Sequence, residues 1–147
     1  MKKIVFVCHG NICRSPTAEY VFKHIAKELG REDEFVVVSK ATSYEEIGND
    51  IYPPMKRALI DLNIPFSSHR ASRFTKEDYE SADYIFYMDS YNLRNLSFIQ
   101  QDKDSKYLPI YKWSEGIYEI EDPWYTGNYQ KVVLQIKKCV EDILNHI

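Results

Sequence analysis

An α/β fold is predicted from the sequence: a single domain over residues 1–147, with a four-stranded parallel sheet, helices on both faces and a tight loop after the first strand. Three observations predict it. Short β-branched runs alternate with stretches of helical periodicity, the pattern that leads to parallel pairing through right-handed crossovers. The first run is apolar without interruption, as a strand buried on both faces must be. The chain has 147 residues, 44% hydrophobic and 28% charged, and a chain of that size buries roughly 70% of its unfolded surface.

Lys3 to Cys8 is that first strand, and it stops at His9-Gly10-Asn11. Ser15 then offers an N-cap with Pro16 at the first helical position; Ala18, Val21, Phe22, Ile25 and Leu29 follow at helical spacing, and Gly30 ends the helix. Val36 to Ser39 repeats the strand signal. Pro53-Pro54 introduces a second helix, Met55 to Leu62, with Asn63 where a left-handed residue often closes one. Thr75 and Asp78 have the spacing of a capping box, although Asp is shorter than the usual Glu, and they open a short helix before the strand Tyr84 to Met88. Asp89 or Ser90 caps the next helix, which runs to about Phe98. Lys106 to Tyr111 is the fourth strand, and Pro109 suits an edge. Tyr129, Val132, Val133, Ile136, Val140, Ile143 and Leu144 form one apolar stripe on the last helix, with Cys139 beside it as a core residue. Lys112 to Asn128 has no regular pattern; it is long, aromatic and acidic, and such loops are often functional.

Composition excludes several classes of function. With 19 Lys and Arg against 22 Asp and Glu, the net charge of −3 gives no footprint for nonspecific nucleic-acid binding. No apolar run approaches the ~20 residues of a membrane-spanning helix, and Met1-Lys2-Lys3 leads into only a short one, so neither secretion nor membrane association is expected. Three cysteines, an odd number, are no disulfide framework and point to a reducing, cytoplasmic setting. His9, His24, His69 and His146 show no zinc spacing. No metal or cofactor is expected, and the chain is expected to be a monomer.

The chemistry lies in Cys8-His9-Gly10-Asn11-Ile12-Cys13-Arg14-Ser15-Pro16. A tight loop between a buried strand and a helix start lets backbone N–H groups converge where the helix dipole also favours negative charge. His9 to Ser15 are therefore the candidate phosphate-binding residues. Arg14 can hold two oxygens of a tetrahedral oxyanion in its planar fork, and Cys8 lies at the floor. The field that attracts phosphate also favours a thiolate nucleophile over a thiol. A Walker-type loop is excluded, since Gly-Lys-Ser/Thr is missing, and Cys8 and Cys13 are too far apart for a Cys-x-x-Cys pair. Asp122, Glu115, Glu119 and Glu121 are all candidate proton donors, and residue chemistry alone does not choose among them. His9 is placed on the pocket rim or beside it. Trp124 and Tyr125, with Tyr44 from an opposing loop, are candidate walls for a flat ring.

The loop, together with Asp122-Pro123-Trp124-Tyr125, resembles the low-molecular-weight protein tyrosine phosphatases, and the likeness covers the whole chain. The resemblance implies that Cys8 is the nucleophile, that Arg14 binds phosphate and that Asp122 is the general acid, with a phosphocysteine intermediate. It implies a supporting hydrogen-bond network of Asn11, Ser15, Ser39 and His69, a redox role for Cys13, otherwise a small residue filling a tight loop, and tyrosine-phosphorylated proteins as substrates, with phosphate and other oxyanions as inhibitors. Ser39-Lys40-Ala41-Thr42-Ser43 departs from the family's usual Ser-Ala-Gly-Thr-Ser, so a different loop backbone is expected there. Three rivals compete. An arsenate reductase of this fold would need further cysteines, and residues 80–100 contain none. A protein arginine phosphatase usually has Thr where this chain has Ile12, so Ile12 is counted with the substrate pocket. A non-catalytic phosphotyrosine-binding module would need neither Cys8 nor Asp122.

Overall fold

In the computed structural model, which describes residues 1–147, the first apolar run forms β1 (Lys2–Cys8) at the interior of the sheet. It pairs in parallel with β2 (Phe35–Ala41) on one side and β3 (Tyr84–Tyr87) on the other; β4 (Tyr107–Pro109) adds to β3, giving the order β2-β1-β3-β4. Successive side chains of a strand point to opposite faces. Ile4, Phe6 and Cys8 therefore join the core with α1 (Arg14–Glu28), α2 (Pro53–Asp61) and α6 (Tyr129–Leu144). Val5 and Val7 join the other, with α3 (Lys76–Ser81) and α4 (Ser90–Ile99). Both faces are covered, so no polar residue interrupts the run from Ile4 to Val7. On the larger side the Phe6 ring packs against Phe22 and Phe86, with centroids 6.0 and 5.7 Å apart, and each such burial is worth ~1.5–3 kcal/mol.

The stop signals act as the sequence predicts. Gly30 (φ +69°) and Asn63 (φ +59°) are left-handed, and each starts a paired closure: Gly30 and Arg31 donate to Lys27 and Ala26, Asn63 and Ile64 to Ile60 and Leu59. Both bonds of the Thr75–Asp78 capping box form despite the shorter acid. Asp89, rather than Ser90, caps α4, because Asn92 completes a reciprocal pair with it. Pro109 lies on the edge strand.

Ser15 is not the N-cap of α1. The helix begins at Arg14, and Ser15 lies within the first turn with its amide and hydroxyl directed at Cys8. The hydroxyl that would have capped the helix serves the loop instead. Within Lys112 to Asn128 one further short helix, α5 (Pro123–Thr126), appears with Asp122 as its N-cap. Cys139 is buried in the core of α6, where burial raises its thiol pKa to about 11. No helix is long and apolar enough to cross a membrane.

Candidate active site

β1 is the strand at which the sheet reverses direction of growth, since β2 lies on one side and β3 on the other. In open parallel sheets that is where ligands bind, beyond the carboxyl ends of the strands. Residues 9–13 follow that end, and their backbone is held from outside. The carbonyl of Cys8 accepts from Thr42 N, that of His9 from Ser43 N, that of Ile12 from Tyr52 N and that of Cys13 from Thr17 N. The carbonyl of Asn11 accepts from His69 Nε2 at 2.6 Å, which requires the proton on that nitrogen. With the carbonyls bonded outward, the amides turn inward. Asn11 N and Ser15 N approach Cys8 Sγ at 3.3 and 3.4 Å, and Ser15 Oγ lies 3.1 Å from it. Donors converging on one sulfur suit a negatively charged atom.

Asn11 holds this shape. Its φ of +60° lies in the left-handed region, which Asn tolerates better than most residues. Its buried side chain donates to Ser15 Oγ (2.7 Å) and Ser39 Oγ (3.0 Å) and accepts from Ser72 N (3.1 Å). Asn11, Ser15, Ser39 and His69 thus meet in one network. Glu19 extends it, accepting from Ser39 Oγ at 2.7 Å and from Lys23 Nζ at 2.6 Å. Glu19 and Ser72 were not predicted; a polar residue on the buried face of α1 was the available signal for Glu19. The run Ser39 to Ser43 carries β2 forward and supplies the two amides that hold Cys8 and His9. Gly10 lets the loop come close to Glu46: a Cβ there would meet Glu46 Cγ at 3.3 Å, and that side chain would have to shift by a few tenths of an ångström.

Arg14 is 2% exposed. Its Nη1 donates to Asp89 Oδ2 (2.6 Å) and to the Ile120 carbonyl (2.8 Å), leaving Nε and Nη2 without a protein hydrogen bond. Burial is the largest influence on the guanidinium and disfavours its charge, but Cys8, Asp89 and Asp122 outweigh it and hold the pKa above its ordinary value. Asp89 caps α4 and has a second task where the end of β3 meets the start of α1. Asp122 Oδ2 lies 3.6 Å from Arg14 Nη2, while Oδ1 accepts from Trp124 N at 3.0 Å.

These residues enclose a cavity of about 140 Å³ with Cys8 and Arg14 in its wall. His9, Gly10, Ile12 and Cys13 line it, together with Trp124 and Tyr125. Trp124 leans on Tyr52, centroids 4.8 Å apart, which fixes that wall. Of the four candidate proton donors only Asp122 lines this cavity. Glu121 is bound by Lys131, Thr126 and Asn128, which pull its pKa down to about 2, and Glu119 accepts from the Ser90 amide. Cys13 is buried, and burial raises its thiol pKa, with Cys8 adding to the effect.

Tyr44 is a correction. It does not line the cavity: it is 73% exposed and its ring carries the Arg73 guanidinium at 4.2 Å. The ring lies against that cation and not at the mouth, where Glu45 and Glu46 stand; Glu45 accepts from His9 Nε2 at 2.9 Å.

Residues 3–147 match the sequence model of a family described as low molecular weight phosphotyrosine protein phosphatase. A protein of that name from Gallus gallus is 39% identical over 152 residues, covering 95% of this chain and 90% of its own. The crystal structure of YfkJ from Bacillus subtilis superposes with a TM-score of 0.95 at 32% identity, covering 100% of this chain and 94% of that one. That of SP-PTP, the low molecular weight protein tyrosine phosphatase from Streptococcus pyogenes, gives 0.89 at 36% identity, covering 100% and 93%.

Proposed function

The chain belongs to the low molecular weight phosphotyrosine protein phosphatase family, and from that premise we propose that it hydrolyses phosphotyrosine in protein substrates through a phosphocysteine intermediate. The observation that carries the proposal is the sulfur of Cys8 at the focus of the Asn11 and Ser15 amides, with the free edge of Arg14 in the same cavity. A phosphomonoester bound there offers phosphorus to the sulfur and its equatorial oxygens to the amides and the guanidinium. Those donors stabilise the transferring phosphoryl group without rearranging.

In the first step the Cys8 thiolate forms an S–P bond as the P–O bond to the tyrosine oxygen breaks, and protonated Asp122 gives that oxygen its proton. In the second, water attacks phosphorus, Asp122 accepts the water's proton, and phosphate leaves as the thiolate is restored. Among the candidate carboxyls only Asp122 lines the cavity that holds the Cys8 sulfur, which supports Asp122 in the role. Neither step requires a metal. Ile12, Trp124 and Tyr125 form apolar and aromatic walls that suit a phenyl ring.

Cys13 lines the same cavity as Cys8, and both thiols are free. It serves to trap an oxidised Cys8 as a disulfide, releasing water from the sulfenic acid. Three free cysteines suit a reducing cytoplasm. Turnover of p-nitrophenyl phosphate by the wild type, and its collapse in Cys8→Ser with phosphate binding retained, is the test. Substantial hydrolysis by Cys8→Ser would remove the nucleophile assignment.

A further inference from the structure

The phosphate cavity continues into a groove of about 590 Å³ between the start of α4 and the segment before α5. His9, Arg14, Asp122 and Tyr125 line both. An anion site is expected to be bordered by cations, yet the two walls together carry the carboxylates of Glu45, Glu46, Asp89, Glu119, Glu121 and Asp122 with Arg14 as the one Lys or Arg side chain. Three of the six stand beside a cation, Asp89 and Asp122 beside Arg14 and Glu121 beside Lys131, and Glu45 accepts a hydrogen bond from His9 Nε2.

Glu46 and Glu119 are different. Glu46 is held by the neutral amide of Asn49 at 2.6 Å and Glu119 by the backbone amide of Ser90 at 3.0 Å. Neither has a cation within ion-pair distance. They stand on separate segments, one after β2 and one before α5, so the mouth has an uncompensated negative charge from each. The groove also carries two exposed rings, Tyr91 (72%) and Tyr125 (84%), whose faces attract cations.

We propose that this mouth selects phosphotyrosines flanked by Lys or Arg, with Glu46 and Glu119 receiving the basic side chains and Tyr91 and Tyr125 offering them ring faces. The proposal rests on the phosphatase reading and specifies its substrate class. Arg14 and the loop amides hold the phosphate at the floor, while the rim repels any further negative charge on the peptide. Complementary charge at a rim acts on encounter and discrimination more than on tight binding.

The test compares three peptides identical except for Lys, Ala or Glu on both sides of phosphotyrosine, with p-nitrophenyl phosphate alongside. At low salt the Lys peptide is expected to exceed the Glu peptide in kcat/KM by about fivefold to tenfold, with Ala between them, as a few exposed ion pairs allow. The gap is expected to close near 1 M salt, where charges are screened beyond ~3 Å. In Glu46→Gln combined with Glu119→Gln, which keeps both hydrogen-bond acceptors, the Lys-to-Glu ratio is expected to fall toward one. Equal use of the three peptides by an enzyme that turns over p-nitrophenyl phosphate would overturn the proposal and leave the phosphatase reading standing. So would a preference that survives both the salt and the double substitution. No turnover of p-nitrophenyl phosphate would overturn the phosphatase reading and the proposal with it.

Discussion

Replacing Asn11 by Ala tests whether the loop's shape is imposed by one side chain. Asn11 is wholly buried, and three side-chain hydrogen bonds end on it, to Ser15 Oγ, Ser39 Oγ and Ser72 N. At ~1 kcal/mol each these amount to about 3 kcal/mol. The φ of +60° adds ~1–2 kcal/mol for a residue that cannot compensate a left-handed backbone with a local bond. Asn11→Ala is therefore expected to lower unfolding free energy by about 4–5 kcal/mol, read from urea titrations with an unchanged slope. Asn11→Gly removes the same bonds but takes the left-handed conformation without strain, so it is expected to be less damaging than Ala by about 1 kcal/mol. Turnover is expected to fall in both, even under conditions where both are folded, because the amide of residue 11 would no longer be held at 3.3 Å from the Cys8 sulfur. A loss below ~1.5 kcal/mol for Ala, or a Gly variant no more stable than Ala, would show that the loop is held by its outward carbonyl bonds alone.

Asp122→Asn is expected to slow phosphoenzyme formation by ~10² to 10⁴ for a phosphotyrosine peptide but much less for p-nitrophenyl phosphate, whose leaving group needs little protonation; equal slowing in single-turnover measurements, or the same selectivity in Glu121→Gln, would take the acid role from Asp122. After brief peroxide treatment the wild type is expected to recover with dithiothreitol, and Cys13→Ser to recover less; equal recovery would return Cys13 to a packing role. Glu121 has its folded pKa depressed from 4.5 to about 2, so its pairing stabilises the fold above pH 4.5 and is lost as pH falls toward 2. Urea midpoints measured from pH 6 down to about 2 are accordingly expected to fall less steeply for Glu121→Gln than for the wild type, and parallel curves would mean that Lys131 is not holding it.

How far the sequence reaches depends on whether the causal groups are neighbours in the chain. β1 was legible because a strand covered on both faces must be apolar at every position, and Ile4 to Val7 are. The closures at Gly30 and Asn63 and the cap at Thr75 were legible because a helix end is decided within a few residues. The nest from Cys8 to Ser15 could be read for the same reason, since its amides, its sulfur and its guanidinium come from one short segment. The chemistry of single residues could not decide the rest, because its causes lie far apart in the chain. Asp89 reaches Arg14 across 75 positions and His69 reaches Asn11 across 58. Asp122 is separated from Glu119 and Glu121 only by where the chain folds back over the cavity, because the three carboxylates are chemically alike and differ in what surrounds them. Tyr44 went the other way for the same reason: its ring suited the pocket, but Arg73, 29 positions along the chain, holds it elsewhere. Local stereochemistry is written residue by residue, whereas the field at a buried site is a sum over groups that only the folded chain brings within a few ångströms of one another.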